Sequence, residues 1–316
     1  MDATVGFLDD SGPVPELTTR AVDVLRDAAA RLAEAGIDTP RLDARCLLGH
    51  AMDRDPASFA GRGKDVVTHD AVCRFQQLIS RRLNREPVSR IVGEREFWSL
   101  TFELADSVFD PRLDSETLVE AVLSAVRDRE APIRLLDLGT GSGCLITALL
   151  SELPAATGIG VDIEPVALRV ACRNLIRNGL HQRARLVCAN WGGALRGGFD
   201  IVVVNPPYVA VRDMVDLAPE VVDYDPHRAL FGGHDGLEAY REIVPGLPRL
   251  LCSTGLAALE IGRGQERNVR SLLRGAGFAT IESRCDLAGV ERCLLARMRA
   301  PECQDKKGLG MAARGR

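Results

Sequence analysis

Apolar positions recur at two different periods along the chain. Leu17, Ala21, Leu25, Ala28 and Leu32 fall at helical spacing and predict a helix that stops at Gly36. Thr39-Pro40 supplies an N-cap and a first-turn proline for a second helix, which turns Leu42, Cys46 and Leu47 inward. Thr68 caps a third helix with Val72, Phe75, Ile79 and Leu83 on one face. These segments predict a small helical bundle over 16–88. The period then changes. Leu100, Phe102 and Leu104 alternate with polar residues behind Phe97 and Trp98, which predicts a β-hairpin over 91–105 within a linker of 89–110. A loop from Asp110 to Ser115 leads into a helix carrying Leu118, Val119, Val122 and Leu123.

From Ile133 onward short apolar runs alternate with amphipathic segments. Strands are predicted at Ile133–Leu138, Gly158–Asp162, Arg185–Cys188, Ile201–Val204, Leu256–Ile261, Thr280–Ser283 and Arg292–Ala296, with helices at Pro165–Asn178 and Gln265–Arg274. This βα alternation predicts an α/β fold over 111–299, a doubly wound, mostly parallel seven-stranded sheet of Rossmann-like type. The short connection between the last two strands implies one antiparallel strand. Residues 1–15 and 300–316 read as flexible tails.

Composition narrows the function classes. Apolar residues make up 46% of the 316, enough for a packed core. The formal net charge of -4 argues against a nucleic-acid partner held by a basic surface. No run approaches the roughly 20 apolar residues of a membrane helix, and the N-terminus carries no targeting pattern. The nine cysteines form no CxxC pair, and Cys46, Cys172 and Cys188 lie in apolar periodic segments, so reduced, buried thiols in a cytoplasmic protein are expected. No metal site is expected, and His227 and His234 read as surface histidines.

Two motifs carry chemistry. Asp137-Leu138-Gly139-Thr140-Gly141-Ser142-Gly143 follows the first sheet strand and opens a helix. Its glycines allow a tight turn and close ligand approach. The dinucleotide fingerprint needs a glycine where Cys144 stands, so a diphosphate cradle is disfavoured relative to a single adenosine with an amino-acid tail. Asp137 is placed to reach toward that tail. Asp162, closing the second strand, suits the two ribose hydroxyls. Asn190 and Trp191, after the third, suit an adenine edge and face, although Trp191 serves equally as core.

The second motif is Asn205-Pro206-Pro207-Tyr208, directly after Val202-Val203-Val204. Asn205 then stands at the carboxyl end of a buried strand, where open α/β sheets bind ligands. The Asn205 amide oxygen and the Pro206 carbonyl suit the two N–H bonds of a planar NH2 group, and Tyr208 suits stacking on it. No titratable base stands in the tetrad, so catalysis by positioning is expected.

The glycine loop, Asp162 and Asn205–Tyr208 together resemble a class I methyltransferase of the amino-group type. Glu96-Phe97-Trp98, Pro111-Arg112-Leu113-Asp114-Ser115-Glu116, Tyr224-Asp225-Pro226, Gly232-Gly233-His234-Asp235-Gly236-Leu237, Glu260-Ile261-Gly262 with Gln265, and Asp286-Leu287-Ala288-Gly289 resemble the release factor glutamine N5-methyltransferase family over roughly residues 20–298. The resemblance implies S-adenosyl-L-methionine as cofactor, bound by Asp137, Gly139, Thr140, Gly141, Ser142, Gly143, Asp162, Asn190, Trp191 and Asn205. It implies Asn205, Pro206 and Tyr208 as catalytic residues and Asn205, Pro206, Pro207 and Tyr208 as substrate residues. The implied partner is a class-1 peptide chain release factor, methylated on the glutamine of its Gly-Gly-Gln loop by a monomeric enzyme, with the helical bundle as docking domain. Leu113, Ser115 and Asn190 depart from the family pattern, where proline, threonine and an acid are usual. Other readings stay open: an adenine-N6-type nucleic-acid methyltransferase, a glutamine methyltransferase acting on a ribosomal protein, and a non-catalytic binding module.

Overall fold

The computed structural model describes residues 18–59 and 65–299; the tails expected at 1–15 and 300–316 lie outside the described residues. The chain divides into two compact units, Met1–Gly93 and Glu94–Arg316.

The first unit contains β1 (Thr18–Arg20), α1 (Ala21–Glu34), α2 (Pro40–Met52), β2 (Val66–Thr68), α3 (His69–Leu83) and α4 (Val88–Val92). Ala28, Leu32, Leu47, Leu48, Phe75 and Ile79 form its core. Thr68 caps α3 by accepting from the Ala71 amide at 3.3 Å. Thr39 stands at the N-cap of α2, but its hydroxyl donates instead to Asp43 Oδ1 at 2.7 Å. The inward face of α2 also differs from the expected one. Leu42 is half exposed and Cys46 only partly buried, while Asp43 turns inward to pair with Arg82 Nε at 2.8 Å. That buried ion pair rotates the interior face of the helix by one residue. The short pairing of β1 with β2, Thr18 opposite Thr68, has no periodic signal because each strand is three residues long.

The second unit opens with a hairpin, β3 (Glu94–Phe97) and β4 (Leu100–Glu103). Phe97 and Phe102 are buried edge to face, their ring centroids 6.2 Å apart. The two-residue turn places Trp98 and Ser99 at φ 52° and 55°, a left-handed conformation usually left to glycine or asparagine. Two bonds hold it: the Trp98 amide donates to Glu116 at 2.7 Å and its indole N–H to Glu152 at 2.9 Å.

There follow α5 (Glu116–Ala125), β5 (Arg134–Leu138), α6 (Cys144–Glu152), β6 (Thr157–Asp162), α7 (Pro165–Arg177), β7 (Ala184–Cys188) and β8 (Phe199–Val204). Four short helices come next: α8 (Pro219–Val222), α9 (His227–Leu230), α10 (Glu238–Ile243) and α11 (Leu247–Leu250). The chain ends with β9 (Leu251–Glu260), α12 (Glu266–Gly275), β10 (Phe278–Cys285) and β11 (Glu291–Met298). The seven strands run β10-β11-β9-β8-β5-β6-β7, with β11 antiparallel to both neighbours and β9 to β7 mutually parallel. Alternate strand residues feed two apolar layers. Leu135, Ile201, Val203 and Leu295 pack on one face with Leu118 and Ile146; Leu136, Val202, Val204 and Leu294 pack on the other with Tyr240 and Leu273.

The chain winds outward from β5 to β7 and returns to set β8 on the other side of β5. The gap between the carboxyl ends of β5 and β8 is the topological switch point at which such sheets bind ligands.

The eight cysteines among the described residues are free, but their expected burial is corrected. Cys172 and Cys188 are exposed, the first on the outer face of α7 and the second at the end of the edge strand β7. No helix among the described residues is long and apolar enough to cross a membrane.

Candidate active site

A cavity of about 480 Å³ opens at the switch point, a size suited to a small-molecule ligand. The loops after β5, β6, β7 and β8 wall it, together with the segment preceding α5 and the stretch from Leu217 to Leu230.

The glycine loop forms its floor. Gly139 and Thr140 both donate their amides to the Val161 carbonyl at 2.8 Å, which ties the loop to β6. Gly139 has φ 77°, and a Cβ there would stand 3.3 Å from the Trp191 ring. Gly143 has φ 79° and faces away from the cavity, where a Cβ would press on Ala171 at 3.1 Å. Gly139, Thr140, Gly141 and Ser142 line the cavity; Gly143 does not.

Asp137 stands apart from its expected position. Its side chain is fully buried behind the loop and off the cavity wall, because the Thr140 hydroxyl donates to Oδ2 at 2.6 Å. Burial pushes its carboxyl up to about 7, with the Thr140 bond opposing. The residue braces the loop rather than presenting charge to the cavity.

Asp162 lies on the wall at the end of β6. Its Oδ2 accepts from the Gly141 amide and its Oδ1 from the Glu164 amide, each at 2.9 Å. Burial raises its carboxyl above the usual range, while the backbone at Gly141 and Ile163 and the Arg228 charge pull it down. Each oxygen retains a lone pair for a further donor. Asn190 and Trp191 form the next part of the wall. Trp191 has φ 49°, a strained value for a bulky residue, and its indole N–H donates to Glu242 at 2.8 Å. The ring is thereby fixed beside Gly139, lines the cavity and also packs on the core.

All four tetrad residues line the cavity. The Asn205 amide donates from Nδ2 to Ser115 Oγ at 3.1 Å. That bond commits the amide nitrogen, and no donor among the described residues engages Oδ1. The Tyr208 hydroxyl donates to Glu260 Oε1 at 3.2 Å. Burial with the nearby Glu260 charge raises the Tyr208 phenol well above its ordinary value, so the ring stays neutral. Glu260 ends β9 and is itself 2% exposed. Burial pushes its carboxyl up to about 7, against the nearby Ser115 hydroxyl, the Tyr208 hydrogen bond and the charge of Arg292, and Oε2 has no hydrogen-bond partner among the described residues.

The tetrad backbone is also gripped from outside. Gln265 donates from Nε2 to the Tyr208 carbonyl at 2.9 Å and to the Gly236 carbonyl at 3.1 Å, while its Oε1 accepts from the Gly262 amide at 3.0 Å. A Cβ on Gly232 would meet the Pro207 carbonyl at 2.7 Å. Ser115, Glu260, Gln265 and Gly232 were therefore missed as site residues by direct reading. Their only signal was membership of motifs shared with the resembled family. No group of three or more His, Cys, Asp or Glu residues suited to a metal ion occurs among the described residues.

The cavity belongs to a chain with extensive likenesses. A family model described as PrmC N-terminal domain matches residues 23–93, and one described as Methyltransferase small domain matches residues 103–229. A release factor glutamine methyltransferase of Rhodospirillum rubrum is 46% identical over 277 residues, spanning 88% of this chain and 85% of the relative. One from Cereibacter sphaeroides is 44% identical over 281 residues, spanning 89% of this chain and 99% of the relative. The solved hMettl16 catalytic domain in complex with MAT2A 3'UTR hairpin 6 has a TM-score of 0.51 at 15% identity, over 74% of this chain and 84% of that one, a likeness of fold alone. With identities this high over nearly its whole length, the chain belongs to the release factor glutamine methyltransferase family.

Proposed function

We propose that this protein transfers a methyl group from S-adenosyl-L-methionine to the side-chain amide nitrogen of the glutamine in the Gly-Gly-Gln loop of class-1 peptide chain release factors. The observation that carries this reading is the fixed orientation of the Asn205 amide. With Nδ2 donating to Ser115, Oδ1 is left to accept an N–H, and the Pro206 carbonyl beside it accepts the second. Two acceptors of this kind, one on the side chain and one on the adjacent backbone, suit a planar NH2 group. They also fix its plane and leave the face of the nitrogen open to an electrophile.

The donor set fits the cofactor. Asp162 supplies a carboxylate for vicinal ribose hydroxyls, and the partly exposed Ile163 with the Trp191 ring supplies an apolar slot for a purine. The left-handed turn at Gly139 and Gly141 keeps side chains out of the floor. Gly143 and Asp137 support this loop from behind. When bound, the sulfonium supplies an already activated methyl group. The protein then needs no strong base: it orients the amide, shields the site, and lets the product proton leave to water.

The first unit serves as the docking module for the protein substrate, a role supported by the family model that matches it and by the need of a loop glutamine for surface beyond the cavity. The enzyme acts as a cytoplasmic monomer. Asn205→Ala tests the reading. Folding and cofactor affinity stay near wild type, and kcat for release factor falls by roughly a hundredfold or more. Turnover within a few-fold of wild type refutes the assignment.

A further inference from the structure

The exposed apolar side chains of the second unit collect at one end of its sheet. Of the seven large ones among its described residues, only Ile176 lies at the far end, where α7 finishes. Leu113 is 61% exposed and stands between Arg112 and Asp114, both of which line the cavity. Leu287 is fully exposed in the turn that joins β10 to β11. Cys293 pairs with Glu260, the last residue of β9, so this turn lies at the carboxyl end of the parallel strands, where the cavity opens.

A single exposed leucine needs no explanation, but these two are tied together. Arg292, on the cavity wall, pairs with Asp114 at 2.7 Å and with Asp286 at 2.9 Å. Leu113 and Leu287 each adjoin one of those carboxylates in sequence, so one guanidinium joins the two segments that carry them. Asp286 Oδ1 also accepts from the Ala288 and Val290 amides, each at 2.9 Å, which closes the turn around Leu287. Leu287 is thus presented on a fixed base, and covering it costs little further ordering of the chain. The Arg292 charge is met by two carboxylates of the chain itself, so what this rim offers outward is apolar surface.

We infer that Leu113 and Leu287 form an apolar rim of the active-site mouth, which packs on an apolar side chain of the release factor beside its Gly-Gly-Gln loop. Two of the three residues in that loop have no side chain, so the loop itself offers little to recognise and its flanks must supply the contact. The cavity takes the glutamine and the chain leading to it crosses this end of the sheet, which makes rim and cavity one continuous interface. The inference rests on the reading of the cavity as the site of release factor methylation.

The test compares Leu113→Ser and Leu287→Ser with Ile176→Ser as control, each as full-length protein with release factor and S-adenosyl-L-methionine. Each rim variant raises KM for release factor on the order of tenfold, with kcat and cofactor Kd within about twofold of wild type. Leu287→Met, which keeps an apolar chain of similar volume, holds KM within about threefold. Ile176→Ser changes none of the three constants. An unchanged KM in both rim variants, or an equal rise in Ile176→Ser, overturns the inference. A second measurement needs no turnover. The methyl NMR signals of Leu113 and Leu287, assigned by their loss in the variants, shift or broaden when release factor is added with S-adenosylhomocysteine; unchanged signals overturn the rim independently. A wild-type enzyme that leaves release factor unmethylated sinks the methylation reading, and the methyl signals still decide the rim.

Discussion

Gln265 donates its side-chain amide to the main-chain carbonyl of Tyr208 at 2.9 Å, although 57 residues separate them. With its further bonds to Gly236 and Gly262, one glutamine fastens the tetrad, the short loop before α10 and the end of β9 to each other. Gln265→Ala removes all three bonds and leaves a space beside the tetrad. The expected result is a loss of about 1–3 kcal/mol in stability and a fall in kcat, with cofactor Kd unchanged. Chemical denaturation and calorimetry check it. A variant of wild-type stability and kcat contradicts the bracing role.

Gly139 is a backbone requirement of the cofactor loop. Alanine there has to adopt φ 77° and to press its Cβ on the Trp191 ring at 3.3 Å. Gly139→Ala costs about 1–2 kcal/mol in backbone strain and shifts the ring, lowering cofactor affinity by roughly tenfold. Gly143→Ala, whose Cβ points at α7 and not into the cavity, lowers stability more than affinity. Titration calorimetry on both variants separates the two effects. Equal losses of affinity contradict the placement.

How much of this was legible in the sequence depends on the range over which each feature acts. The seven strands announced themselves because apolar runs and their bounding loops are local, and the single antiparallel strand followed from the short turn at Asp286–Gly289. Gly139–Gly143, Asp162 and Asn205–Tyr208 were legible because each sits at the carboxyl end of a recognisable strand. Ser115 and Glu260 were not legible as partners of Asn205 and Tyr208. Their meeting depends on β9 lying beside β8 and on the segment before α5 crossing above them, which no local pattern encodes. Asp137 was read as facing the ligand because its neighbours do, but the bond from Thr140 turns it inward. Leu42 was read as core for the same kind of reason, and the Asp43–Arg82 pair overrode the apolar pattern.

The burial of Asp137 has a consequence for pH. Burial pushes its carboxyl up to about 7 in the folded chain, against 3.8 for a free aspartate side chain. Between those values the folded chain binds a proton that the unfolded chain has released, so stability contributed by the protonated form is complete below about 4 and is lost as pH rises toward 7. The loss is on the order of 4 kcal/mol before relaxation of the site. Asp137→Asn, which still accepts from Thr140, flattens the stability profile between pH 4 and 7. Denaturation midpoints measured across that range check it, and an unchanged slope contradicts it.

In the first unit, Asp43 and Arg82 form a buried pair at 2.8 Å. Removing Asp43 strips Arg82 of its buried carboxylate partner. Asp43→Ala therefore destabilises the unit by about 3–5 kcal/mol, whereas replacing both residues with apolar side chains of similar volume costs much less. Hydrogen exchange followed within α2 and α3 reads this directly. If the single and double replacements are equally harmful, the cost lies in packing and not in the lost ion pair.

If the cavity beside Asn205 methylates a glutamine amide, the product is a methylated release factor. Mass spectrometry of a class-1 release factor incubated with the enzyme and S-adenosyl-L-methionine tests it most directly. The expected product carries one added methyl group, about 14 Da in mass, located by fragmentation on the side-chain nitrogen of the Gly-Gly-Gln glutamine, and absent with Asn205→Ala. A methyl on any other residue, or none on the release factor while nucleic acid or ribosomal protein is modified, contradicts it.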